Sequence, residues 1–200
     1  MPVQIIGGNM KDIPKDAINT TSRSIGFGKT LSPFFLEGGH LYSSFFSKNI
    51  ENAWQYSKIY QDFVDKEGNP TKAYFIWAKS GWRKERADRY PMGRGAKPLY
   101  SYWDGQKLDY IDARKKIYIP LYARAVVKTK EYNELKRRYD KGEDLILWDF
   151  DGYKFPDKEK TYLDVINDEK KKMGHAFVLG MLLEDIISVD EKGLLKTELF

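Results

Sequence analysis

Apolar and polar positions recur at helical spacing most clearly in one stretch, Ile50 to Val64, IENAWQYSKIYQDFV. Ile50, Ala53, Trp54, Ser57 and Val64 follow three- and four-residue steps, as a core-facing stripe does. Glu51, Gln55, Lys58 and Asp62 fall at i, i+4, i+7 and i+11 and form a second, polar row. The spacing predicts a helix of about four turns, with Asn49 as its N-cap and the rest of the chain organised around it. The polar row is either the wall of a site or a solvated face held by weak Glu/Lys pairing. Glu51 in the first turn also suits the helix dipole without any catalytic role.

Shorter elements surround that stretch. VQIIGG predicts a strand, followed by a Pro/Asp-containing connection and the turn-rich TSRSIGFG. Neither glycine cluster continues into Gly-Lys-Ser/Thr, so neither is a phosphate loop. LSPFFL is apolar, and HLYSSFFSK alternates weakly, as a strand leading into the helix would. Pro70 opens a helix over 71–80. A longer helical pattern covers 109–128, with Pro120 expected to kink or interrupt it. A charged helix over 132–139 ends at Gly142. LILW predicts a buried strand running into Asp149, Phe150 and Asp151, and after a polar loop over 154–172 with a short helix near 162–166, MGHAFVLGMLLEDII is apolar around most of its circumference. It reads as a buried helix with Gly180 permitting close packing, and the tail from Ser188 reads as surface. These elements give an α+β fold, mainly helical, with a small β-sheet, in one compact domain over 1–200.

Composition narrows the class. Two hundred residues, 42% hydrophobic and 15% aromatic, are enough for a packed core. The absence of Cys excludes disulfides, thiolate metal sites and cysteine nucleophiles. His40 and His175 are the only histidines, which gives little basis for a metal site, and no metal or cofactor is expected. No apolar run reaches ~18 residues and no signal pattern opens the chain, so the expectation is a cytoplasmic protein without a membrane partner.

Charge is localised. Lys79 to Lys97 holds seven basic and two acidic residues, an excess equal to the +5 of the whole chain. Such a patch is either a solvated loop or a surface for phosphate-bearing partners. Its RYPMGRGAKP end excludes regular structure, and Arg94 between Gly93 and Gly95 can approach a phosphate closely. Trp103 is either a core anchor or a platform for a base. Asp149 and Asp151 at the end of a buried strand are either functional or ordinary turn residues.

The order of these motifs resembles the NADAR superfamily, whose members act on N-glycosidic bonds of ADP-ribose-like or ribosylated-base substrates. That family carries an LSNF-type element, an EHxxQAxK helix, an L-G-R turn, a downstream Trp, a strand ending in Asp, and a closing helix with Gly. This sequence has LSPFF from Leu31, ENAWQYSK from Glu51, MGRG from Met92, Trp103, LILWDFDGY and GHAFVLGMLL from Gly174, collinear over about residues 25–187. Pro33 stands where the family element has Asn, Asn52 where it has His, and Ala176 near its closing-helix Asn.

The resemblance implies an N-glycosidase. Glu51, with Asp149 or Asp151, would serve the developing oxocarbenium ion, the ribose hydroxyls or the attacking water. Lys58 would protonate the departing base, hold a phosphate or attack an opened sugar as a Schiff base. Gln55 and Asn52 would orient a neighbour or contact substrate, Gly93 and Arg94 would take pyrophosphate, and Trp103 would stack on a base. The substrate would be an ADP-ribose-like or ribosylated-base compound, including ADP-ribosylated DNA or RNA. The alternatives are a non-catalytic module that binds nucleic acid or an ADP-ribose nucleotide, and a structural or partner-blocking protein.

Overall fold

The computed structural model describes residues 2–8, 13–157 and 159–200. Residues 9–12 of the predicted connection and residue 158 of the predicted polar loop lie outside them. In chain order the elements are β1 (Gln4–Gly7), β2 (Ile18–Asn19), β3 (Gly39–His40), β4 (Phe46–Ser47) and helix α1 (Ile50–Gln55). Then come β5 (Lys58–Ile59), α2 (Lys72–Trp82), β6 (Tyr100–Trp103), β7 (Gln106–Leu108), α3 (Tyr110–Ala113) and α4 (Ile119–Val126). The chain closes with α5 (Lys130–Asp140), β8 (Ile146–Asp149), α6 (Tyr162–Asn167), α7 (His175–Leu183), β9 (Ile187–Val189) and β10 (Leu195–Thr197). The fold is α+β, built from short strands and more extensive helix. It divides into two compact units, Met1–Ser32 with Ile119–Phe200, and Pro33–Tyr118.

In the first unit, β8 is the centre of a three-stranded parallel sheet of order β1-β8-β2. Parallel strands are covered on both faces, and Ile5 and Leu147 are accordingly buried. All nine residues of α7 are buried, as the unbroken apolar sequence predicts. Gly180 allows the close approach: a Cβ there would lie 2.6 Å from the Tyr162 hydroxyl. Thr161 begins α6 with a capping box to Asp164. The tail from Ser188 lies at the surface as expected, and within it β10 pairs with β9 in an antiparallel hairpin.

In the second unit, β5, β6 and β7 form an antiparallel sheet, with Asp104 and Gly105 at positive φ in the β6–β7 turn. The helix α2 begins one residue after its predicted start and ends two beyond its predicted end. The stretch HLYSSFFSK is a two-stranded hairpin rather than one strand.

The central helix is where pattern and structure part. It ends at Gln55 instead of continuing to Val64. Tyr56 closes it, the Ser57 hydroxyl donates to the Trp54 carbonyl at 2.8 Å, and Lys58–Ile59 pairs with Tyr100–Ser101. Tyr56, Ile59 and Tyr60, which lie off the predicted stripe, are all core residues. Six residues of isolated helix gain little from propagation, so pairing with the β6–β7 hairpin overrides the helical pattern. Asp62 leaves the polar row for an exposed 3-10 turn over Gln61–Phe63.

The predicted interruption near Pro120 takes a specific form. Between α3 and α4 the helix widens into a π turn over Arg114–Tyr118. Pro120 has no N–H to offer the carbonyl four residues before it, and a widened turn accommodates that loss.

Candidate functional site

In the second unit, α1 and the strand β5 that follows it position Glu51, Gln55 and Lys58 as one hydrogen-bonded chain. The Asn49 side chain caps the helix by accepting from the Asn52 amide at 2.8 Å. Glu51 is only 7% exposed, an unusual depth for a carboxylate. Gln55 Nε2 donates to Glu51 Oε1 at 2.8 Å, and Lys58 Nζ donates to Gln55 Oε1 at 2.7 Å. A carboxylate only accepts and an ammonium only donates, so the two partners fix which end of the amide faces which.

Aromatic rings line the same place. Lys58 Nζ lies 5.0 Å from the centroid of the Trp54 ring, which meets Tyr118 at 5.3 Å and Tyr110 at 6.3 Å. Arg114, 1% exposed on the π turn, lies with its guanidinium 4.3 Å from the Tyr110 centroid. The second unit therefore holds a buried acid, a lysine, a buried arginine and three aromatic rings on α1, α3 and the π turn. Such a group can hold a planar base and a developing positive charge.

The basic segment is anchored rather than loose. Asn52, fully buried, donates to the carbonyls of Lys84 and Arg86 at 3.1 Å each and accepts from the Asp88 amide at 2.8 Å. Tyr56 donates to Asp88 at 2.6 Å, and Lys84 bonds both Tyr56 and Asp88. Beyond this staple the segment is half-buried over 89–92 apart from Tyr90, and exposed from Gly93 to Lys97. The Arg89 and Arg94 guanidiniums lie 5.8 and 5.6 Å from the ring of Tyr90, which is 42% exposed.

In the first unit, Asp149 ends β8 and lies against the start of α7. Its Oδ2 is 3.1 Å from His175 Nδ1 and accepts from the Ala176 amide at 3.2 Å, while Oδ1 accepts from the Asp151 amide at 3.4 Å. His175 Nε2 lies 2.8 Å from the Thr20 carbonyl oxygen. That carbonyl can only accept, so Nε2 carries a proton, and Nδ1 meets the carboxylate favourably only when it carries one too. Burial opposes the charge on Asp149, but the His175 imidazolium and the two amides outweigh it and hold the carboxyl below its ordinary value. Burial likewise opposes charge on His175, yet Asp149 and the Thr20 carbonyl raise it. The pair is a buried ion pair. Asp151 is half-buried, with Lys172 Nζ 3.8 Å from its Oδ1.

The sequence-predicted residues are thus distributed. Glu51, Gln55 and Lys58 meet one another. Asn52 lies on the same helix, with both amide N–H groups engaged by the basic segment. Gly93 and Arg94 belong to the exposed loop around Tyr90, and Trp103 packs edge-on against Tyr42 at 4.8 Å. Asp149 and Asp151 belong to the first unit, and of the two Asp149 is the one enclosed. Trp54, Arg114 and His175 went unrecognised as site residues. Trp54 reads as part of the apolar stripe, Arg114 as one more charge on an amphipathic helix, and His175 as an isolated histidine. Among the described residues no cluster of three or more His, Asp or Glu is placed to hold a metal ion, and no helix is long and apolar enough to cross a membrane. The sequence matches no protein-family model, and neither a curated protein nor a solved structure matches it.

Proposed function

We propose that the protein is an N-glycosidase that hydrolyses the bond between ribose and a base, as a divergent relative of the NADAR superfamily, acting on an ADP-ribose-like or ribosylated-base substrate. The carrying observation is the chain Glu51–Gln55–Lys58 beside Trp54: an enclosed carboxylate tied through one amide to a cation over an aromatic face.

In this reading the bond between C1′ and the base nitrogen breaks heterolytically. Its electron pair leaves with the base, which takes up a proton, and positive charge develops on C1′ and the ring oxygen. The Glu51 carboxylate stabilises that charge and receives a proton as water adds to C1′, giving the free base and the ribose hemiacetal. Lys58 supplies the positive charge at the leaving base or at a phosphate. Trp54, whose ring centroid lies 5.0 Å from Lys58 Nζ, takes the stacking role that the sequence suggested for Trp103. Asp149 is committed to His175 and two amides, so Glu51 bears the chemistry. The anchored basic segment supports a phosphate-bearing substrate.

Incubation with an oligodeoxynucleotide bearing ADP-ribosylated guanine, and separately with free ribosylated bases, tests the reading by chromatography of released ADP-ribose or base. Release from one of these that is lost in Glu51→Gln supports hydrolysis. Binding without release from any of them favours a non-catalytic module instead.

A further inference from the structure

We propose that Gln55 is a positioning residue: its side-chain amide sets the Lys58 ammonium against the Glu51 carboxylate. This rests on the hydrolytic reading for its consequence in catalysis but not for its effect on Lys58.

Four observations carry it. Each polar end of the amide bonds a charged partner, at 2.8 Å to Glu51 and 2.7 Å to Lys58. Those partners allow one orientation only, since neither a flipped amide oxygen facing Glu51 nor an amide nitrogen facing Lys58 could bond. Bonds to charged groups are the stronger class, so the side chain is held from both ends. Finally, Gln55 is the last residue of α1 and Lys58 the first of β5. Their bond spans the point where the helix ends, and the Ser57 hydroxyl closes that turn onto Trp54. The helix therefore presents Glu51, the sheet presents Lys58, and Gln55 holds the two in register. An amide suits this task because it bonds an anion and a cation at once without adding charge.

Two substitutions separate positioning from bulk. Gln55→Met keeps length and apolar volume but removes both bonds. Gln55→Glu keeps an acceptor for Lys58 and sets a second carboxylate against Glu51. Gln55 is half-buried, which favours folding of both variants. The direct readout needs no turnover: the rate at which an amine-selective acylating reagent modifies Lys58, measured against pH by peptide mass spectrometry on the intact protein. Lys58 is expected to be acylated about tenfold faster in Gln55→Met, where the bond to Gln55 is lost, and to need a higher pH in Gln55→Glu, where it faces added negative charge. With the ADP-ribosylated oligonucleotide, Gln55→Met is expected to lower kcat by roughly 10- to 100-fold with little change in KM, as misplacement of reacting groups does. Equal Lys58 profiles in the three proteins overturn the proposal. If no substrate is turned over but the profiles differ as stated, the positioning of Lys58 stands and the hydrolytic reading falls.

Discussion

Asp149 and His175 form a buried ion pair, 3.1 Å apart, between the end of the central parallel strand and the first turn of α7. The pair makes the stability of the first unit depend on pH from both sides. His175 is raised by folding, so its contribution is complete below the unfolded value of about 6.5 and is lost as pH rises through the higher folded value. Asp149 is lowered, so its contribution is complete above about 3.9 and is lost as pH falls through the lower folded value. Urea midpoints recorded from acid to alkaline pH should show a plateau between those limits and a decline on each side. In His175→Ala the alkaline decline attributable to this pair should vanish, and stability within the plateau should drop by about 3–5 kcal/mol, because an enclosed carboxylate loses its partner. An unchanged alkaline limb in that variant would count against the pair.

Gly174 is required by the same pair. A Cβ at this position would lie 2.1 Å from Asp149 Oδ2, far inside contact distance. Gly174→Ala should therefore displace the carboxylate and cost about 1–3 kcal/mol in denaturant unfolding. It should also flatten the pH dependence described above. Gly142→Ala provides a contrast, since open space surrounds that position and only its positive φ (84°) resists the change.

Asn52 staples the basic segment to α1 through three bonds. Asn52→Ala should leave the carbonyls of Lys84 and Arg86 and the amide of Asp88 without those partners. Hydrogen exchange should show the Asp88 amide losing protection while the strands β6 and β7 keep theirs. The cost in global stability should be about 1–3 kcal/mol. Retained protection at Asp88 would mean that the segment is held by other contacts.

Where local pattern and tertiary structure agree, the elements were legible in the sequence. Residues 72–82 and 130–140 are helical nearly as their spacing predicts, the helix expected over 173–187 is shortened to 175–183 with Ile187 in β9, and Ile146–Asp149 is the strand that LILW implies. The central helix was overread because periodicity cannot show that Lys58 and Ile59 will pair with a hairpin some forty residues downstream. The cue was the unused apolar content: Tyr56, Ile59 and Tyr60 lie off the stripe of Ile50, Ala53, Trp54, Ser57 and Val64, on a second face that a solvated helix would expose, and all are buried. Within the candidate site, Gln55 meets both Glu51 and Lys58 at spacings of four and three residues, which the sequence did reveal. The role of His175 was hidden, because it depends on a strand end brought to it only by folding. Arg114 was hidden for a similar reason: a regular helix gives no sign of the π turn that carries it.

The central claim rests on Glu51 as the carboxylate that serves the developing charge at C1′. Its most direct test is single-turnover release of ADP-ribose from an oligodeoxynucleotide carrying ADP-ribosylated guanine, comparing the unaltered protein with Glu51→Gln. Glu51→Gln is expected to slow release by roughly 10²–10³-fold, the scale of losing a group that stabilises transition-state charge, while the affinity for the oligonucleotide changes less than about threefold. Release that proceeds at the same rate in both proteins would contradict it.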